Sequence, residues 1–160
     1  MEYLKYDPNY ADDMDEDDDD NEFDDDDDDI DSDAEYSDDE DMSWKVRRAS
    51  SKCISALFIS RPDLMVHFYK AACGLLITRL KEREESVKLD VFVTFNDMLR
   101  QTASYSKLSG DKACLEILST EVPRIVKTLC KELKGKSIKP KVSCFTLLQV
   151  CYALIFIAVC

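Results

Sequence analysis

The 160-residue sequence predicts an all-α fold, with about five helices behind a disordered acidic segment. Three observations carry that expectation. From Met42 onward apolar residues recur at three- and four-residue spacing, and no long run alternates with period two. Acidic residues crowd into one end: residues 1–43 hold 24 Asp or Glu and the single cation Lys5. The other residues carry 20 Lys or Arg against 10 Asp or Glu, so the net charge of -13 divides into -23 and +10. The first part cannot form a core, because self-repulsion and low hydrophobicity leave the ordering entropy unopposed.

The helices follow in order. Ser43 is placed to cap the first, with Val46, Ala49, Cys53 and Ala56 as its apolar stripe. Arg61-Pro62 interrupts, and Pro62 suits the first turn of a second helix bearing Leu64, Phe68, Ala71 and Leu75. A third begins near Glu84-Glu85, whose charges favour the positive end of the helix dipole; its face is Val87, Val91, Phe95, Met98 and Leu99. The polar stretch from Thr102 to Lys112 reads as a connection containing the turn Ser109-Gly110-Asp111. The fourth helix has the cleanest period, Leu115, Leu118, Val122, Ile125, Leu129 and Leu133, with Pro123 marking a kink or a late start. Ser137 opens a fifth, with Ile138, Val142 and Phe145 on one face and Pro140 in the first turn.

Composition excludes several chemistries. Three glycines leave little material for phosphate-cradling loops, and one histidine, His67, leaves none for most catalytic triads or His-rich metal sites. His67 reads as a surface or packed side chain rather than a base. No nucleophile–base pair, metal spacing or cofactor motif stands out, so the chain is expected to be neither an enzyme nor a cofactor binder. The seven cysteines, at 53, 73, 114, 130, 144, 151 and 160, include no CxxC pair and read as reduced, buried intracellular thiols. No N-terminal apolar run reads as a signal peptide.

From Asp12 to Asp41, 22 of 30 residues are acidic. The stretch reads as a solvated spacer, or as a contact for a basic partner. Asp29, Asp31, Asp33, Glu35, Ser37 and Glu40 fall in calcium-loop register, but Ala34 stands where the turn needs glycine. Ser32 and Ser37 precede acidic residues and are candidate phosphosites for an acid-directed kinase.

The helical part repeats itself. Val/Ile-Lys/Arg pairs stand at 46–47, 87–88 and 138–139, spaced by 41 and 51 residues, each after a charged turn and a serine. A period near 40 built from two helices is that of HEAT-type solenoids. The repeat-turn residues are thus Asp41, Ser43, Trp44, Val46, Arg47, Glu82, Val87, Lys88, Ser137 and Ile138. The apolar member of each pair is expected to start a buried face. The cation is expected to reach back within its own turn, Arg47 to Asp41 and Lys88 to Glu82; Lys139 meets Leu133 at the matching place. Trp44 is expected to pack at the turn, with a role as an exposed partner anchor as the alternative.

With these residues in view the chain resembles the cullin-associated, neddylation-dissociated family, also called TATA-binding-protein-interacting. The resemblance rests on YDPNY at Tyr6 to Tyr10, EYSDDEDMSWKVRRASSKC at Glu35 to Cys53, and SRPDL at Ser60 to Leu64. It continues through RLKEREESVKLDVF at Arg79 to Phe92, LRQT at Leu99 to Thr102, and EVPRIVK at Glu121 to Lys127, covering roughly residues 3 to 148. It implies an internal fragment of a longer HEAT-repeat solenoid that binds unneddylated cullin and exchanges substrate-receptor modules on SCF and other cullin–RING ubiquitin ligases, in cytoplasm and nucleus. The organisation expected is an acidic segment 1–42, helical repeats 43–148 and an apolar tail 149–160.

That tail departs from the family. Residues 142–160 hold no charge, follow Lys134, Lys136, Lys139 and Lys141, and are long enough at about 1.5 Å per residue to serve as a membrane tail anchor. The tail anchor and an acidic chaperone-like module are therefore the alternatives to a scaffold. Nucleic-acid binding is not expected, because the acidic segment would compete with phosphates.

Overall fold

The computed structural model describes residues 1–5 and 42–159, with side chains through Leu154. The expectations for the acidic segment, including Asp41, Ser32, Ser37 and the calcium-like register, fall outside the described residues. The described residues are helical and connected by short turns. Helix α1 is Glu2–Lys5 and α2 is Ser43–Ser60. After Arg61, a 3-10 turn at Pro62–Leu64, α3 (Met65–Phe68), a π turn at Tyr69–Cys73 and α4 (Gly74–Arg79) follow one another without a break. Then come α5 (Glu85–Ser109), α6 (Ala113–Lys134) and α7 (Ile138–Val159).

The helices form pairs, α1 with α2, α3–α4 with α5, and α6 with α7. Helices α2, α5 and α7 lie side by side in one row, and the α3–π–α4 stretch packs on α6 in the other. This is a HEAT-repeat solenoid. The seam between the rows is the core. Phe58, Met65, Tyr69, Leu76, Ile77 and Leu80 meet Val91, Phe92, Phe95 and Leu99 there, all about 1% exposed or less. Burying each such side chain stabilises the fold by roughly 1.5–3 kcal/mol.

Helix α5 buries the expected Val87, Val91, Phe95, Met98 and Leu99. Its start differs in detail: Glu84 is the cap, its carboxylate accepting from the Ser86 amide (3.4 Å) and hydroxyl (2.9 Å). It also runs on through Ser109, so the polar stretch from Thr102 is helix and the turn is confined to residues 110–112. Thr102 accounts for that extension. It is fully buried, donates to the Met98 carbonyl (2.8 Å) and accepts from the Tyr69 hydroxyl (2.8 Å). Gly110 ends the helix at φ 69°, a left-handed conformation that a Cβ disfavours. In α6, Leu115, Leu118, Ile125 and Leu129 are buried as expected. Pro123 lies inside the helix at an exposed position, so a late helix start is ruled out.

Three faces differ from expectation. Helix α2 buries Ser43, Arg47, Ser51, Ile54 and Phe58, while Val46, Ala49, Cys53 and Ala56 are exposed. The polar residues point inward because each has a partner there, described below. In the second helical stretch the buried row is Met65, Tyr69, Ala72, Cys73, Leu76 and Ile77. That is one residue beyond Leu64, Phe68, Ala71 and Leu75, since both rows are apolar and the π turn lets the second one bury. In α7 the buried row is Cys144, Leu147, Cys151 and Leu154. Ile138, Val142 and Phe145 are 75%, 59% and 62% exposed. The first turns of the charge-free run are therefore solenoid core. Among the described residues no helix is long and apolar enough to cross a membrane.

Cys73, Cys114, Cys144 and Cys151 are buried free thiols, whereas Cys53 and Cys130 are exposed, contrary to a uniformly buried set. Burial pushes Cys73 up to about 12 and Cys114, Cys144 and Cys151 up to about 11, from an ordinary 9.0.

Phe92→Ala is expected to cost about 3–5 kcal/mol in chemical denaturation, and Leu108→Ala, at an 88% exposed site, no more than about 0.5 kcal/mol. Alkylation of the native chain followed by mass spectrometry should label Cys53 and Cys130 first and the four buried thiols only after unfolding. Those thiols hold their protons longer when folded than when unfolded. Their contribution is thus complete below pH 9 and is lost as pH rises through about 11 to 12, which a melting-temperature series checks.

Candidate interaction surface

The α2–α5–α7 row is held in register by polar groups. Along the α2–α5 contact, Arg48 Nε donates to Asp90 (2.7 Å) and Ser55 Oγ to Asp97 (2.6 Å). Between them, buried Ser51 Oγ lies 2.7 Å from Thr94 Oγ1, which also reaches the Ser51 carbonyl (3.0 Å) and the Asp90 carbonyl (2.8 Å). These pairs are directional, so a one-residue slip of α2 along α5 would strand several polar groups away from water.

At the turn edge a second set of contacts joins successive pairs. Arg47 Nε sits 3.2 Å from Glu82 Oε2, and both side chains are at most 4% exposed. Arg47 also donates to Ser43 Oγ (2.7 Å), so Ser43 accepts from a guanidinium rather than capping α2. Glu82 further accepts from the Arg83 amide (3.0 Å) and lies 3.5 Å from Arg79, whose Nη2 donates to the Lys5 carbonyl (2.8 Å). One carboxylate thereby ties together α2, α4 and its own turn, and Arg79 extends the set to α1.

The expected turn residues are thus partly assembled: the Arg47–Asp41 pairing lies outside the described residues, and Lys88 takes a different partner from the one expected. Arg47 reaches forward to Glu82 of the next turn, and Lys88 reaches forward to Glu132 (2.7 Å), not back to Glu82. Lys139 points back, 4.0 Å from Glu85. Glu82 lies in the turn before α5, where Arg47 and Arg79 already occupy its carboxylate. Val87 is buried as expected, but Val46 is 38% and Ile138 75% exposed, and Ser137 is exposed just before α7. Trp44 is half-buried against the core at the start of α2, with Lys45 Nζ 5.3 Å and the Arg48 guanidinium 5.9 Å from its ring centre. His67 is exposed.

Sequence reading missed Asp90, Thr94, Asp97 and Glu132. A signal was present: Arg48–Asp90, Ser51–Thr94 and Ser55–Asp97 are offset by 42 or 43 residues, close to the repeat spacing. Fixed in this way, the row presents exposed apolar side chains in Ile59 of α2, Val93 of α5, and Val142 and Tyr152 of α7. Among the described residues no three His, Cys, Asp or Glu side chains gather where a metal ion could be held.

Removing one partner of the buried pair leaves the other charge stranded, so Arg47→Met or Glu82→Gln should each cost about 3–5 kcal/mol. The double variant Arg47→Met/Glu82→Met should cost less than either single change. Arg48→Ala, whose partner is partly solvated, should cost no more than about 1 kcal/mol. Urea denaturation of the four variants checks this ordering.

No protein-family model matches the chain. Individual relatives do. Cullin-associated NEDD8-dissociated protein 1 of Arabidopsis thaliana is 48% identical over 152 residues, which is 93% of this chain and 12% of that protein. Cullin-associated NEDD8-dissociated protein 2 of Mus musculus is 48% identical over 154 residues, 92% of this chain and 12% of the relative. Protein 1 of Dictyostelium discoideum is 46% identical over 157 residues, with the same two shares. The chain spans about 12% of the length of these curated relatives. With that identity along nearly all of its length, and a HEAT solenoid beneath it, the chain belongs to the Cullin-associated NEDD8-dissociated protein family.

Proposed function

We propose that the chain is a non-catalytic scaffold element that binds cullin lacking its ubiquitin-like modifier and takes part in regulating the assembly of cullin–RING ubiquitin ligases. The observation that carries the reading is the match of about 150 residues to proteins whose names state association with cullin. The row of α2, α5 and α7 supports it, because directional polar contacts between helices hold a contact face without a cofactor. The chain contributes one stretch of a longer contact surface, and its partners put it in the cytoplasm and nucleus. Nucleic acid is not a partner, since residues 1–43 carry -23 beside the basic helices.

Biolayer interferometry with immobilised cullin–RING complex tests this. The chain should bind the unmodified complex at least about tenfold more tightly than the NEDD8-conjugated one, a difference of roughly 1.4 kcal/mol. Val93→Glu, at a 57% exposed position of α5, should weaken that binding with an unchanged thermal melt. Equal binding to both complexes, or none to either, contradicts the proposal.

A further inference from the structure

The turns within the second and third helix pairs, at residues 80–84 and 135–137, lie next to each other, as the Lys88–Glu132 and Lys139–Glu85 contacts require. Residues 6–41 join the two helices of the first pair, so they leave and re-enter on this same edge. Their attachment points are tied to it: the Lys5 carbonyl accepts from Arg79, and Ser43 accepts from Arg47, which pairs with Glu82.

This edge is basic. Lys81, Lys131, Lys134, Lys136 and Lys139 are all exposed on it. The carboxylates among them are already engaged: Glu82 with Arg47 and Arg79, Glu132 with Lys88, Glu84 with Ser86 and Glu85 near Lys139. Among the described residues, Lys81, Lys131, Lys134 and Lys136 have no carboxylate within ion-pair distance.

We propose that this lysine edge is the docking surface for residues 12–41 of the same chain. Charge complementarity selects the occupant, since 22 of those 30 residues are acidic. Reach permits it. Helix pairs stack about 10 Å apart, so the far lysines lie on the order of 20 Å from the attachment points. The 36 tethered residues span at most about 120 Å end to end, and their midpoint reaches about 60 Å. Tethering also holds the acidic residues at millimolar effective concentration beside the lysines, which an external polyanion must outcompete. Over about 20 Å the attraction is screened at physiological salt, so the interaction requires contact and is salt-sensitive.

Carbodiimide cross-linking of the full chain, read by mass spectrometry, tests the proposal. At low salt, links from acidic residues 12–41 to Lys131, Lys134, Lys136 and Lys139 should exceed those to the exposed Lys107 and Lys112 by about fivefold or more. In 0.5 M sodium chloride that preference should vanish. An even spread over all exposed lysines, or a preference unmoved by salt, overturns the proposal. So does a preference carried by links between differently isotope-labelled chains, which would make the contact intermolecular. The cullin-binding measurement is separate: failure there leaves this result standing, and the reverse also holds.

Discussion

A carboxylate removed from water joins α2 to the end of α4 and, through Arg79, to α1. Glu82 lies in a turn, where acidic side chains ordinarily face solvent, yet it is 5% exposed. Burial of that charge is tolerable only because Arg47 and Arg79 approach from two helices and a backbone amide donates to the same group. The requirement runs in both directions. Arg47 can lie inside α2 only where Glu82 meets it, so the arrival of α2 and the path of the turn after α4 determine each other.

Apolar burial supplies most of the stabilisation, and the polar groups select the arrangement. Leucine, valine and phenylalanine side chains slide against each other with little penalty, whereas the Arg48–Asp90, Ser51–Thr94 and Ser55–Asp97 contacts are satisfied in one register. A stack of similar helices needs such selection, because each could otherwise pair with the wrong neighbour or shift by a turn. The row of α2, α5 and α7 inherits its geometry from these pairs.

The sequence was legible where burial and hydrophobicity coincide. Helix α5 buries the row that its spacing announces, and α6 buries Leu115, Leu118, Ile125 and Leu129 of its row while Val122 and Leu133 stay half-buried. Helix α2 was misread because inward Ser43, Arg47 and Ser51 are polar while outward Val46, Ala49 and Cys53 are not, and periodicity registers only polarity. Around the π turn two adjacent rows were equally apolar, so spacing could not choose between them. In α7 nearly every position is apolar, which removes the contrast that would mark a face. The repeat points to Arg47, Glu82, Val87 and Lys88 as structural residues, but it does not show that Lys88 pairs with Glu132 or that Arg47 reaches Glu82. Pairing across 35 or 44 residues depends on how helices stack, which local spacing does not encode.

Hydrogen exchange monitored by mass spectrometry on the chain and on Glu82→Gln tests the central claim most directly. If the buried ion pair is what joins α2 to the next helix pair, amides in residues 43–60 should exchange at least about tenfold faster in the variant, while residues 138–154 keep their protection. Equal acceleration across all helices, or unchanged exchange in α2, would contradict the account.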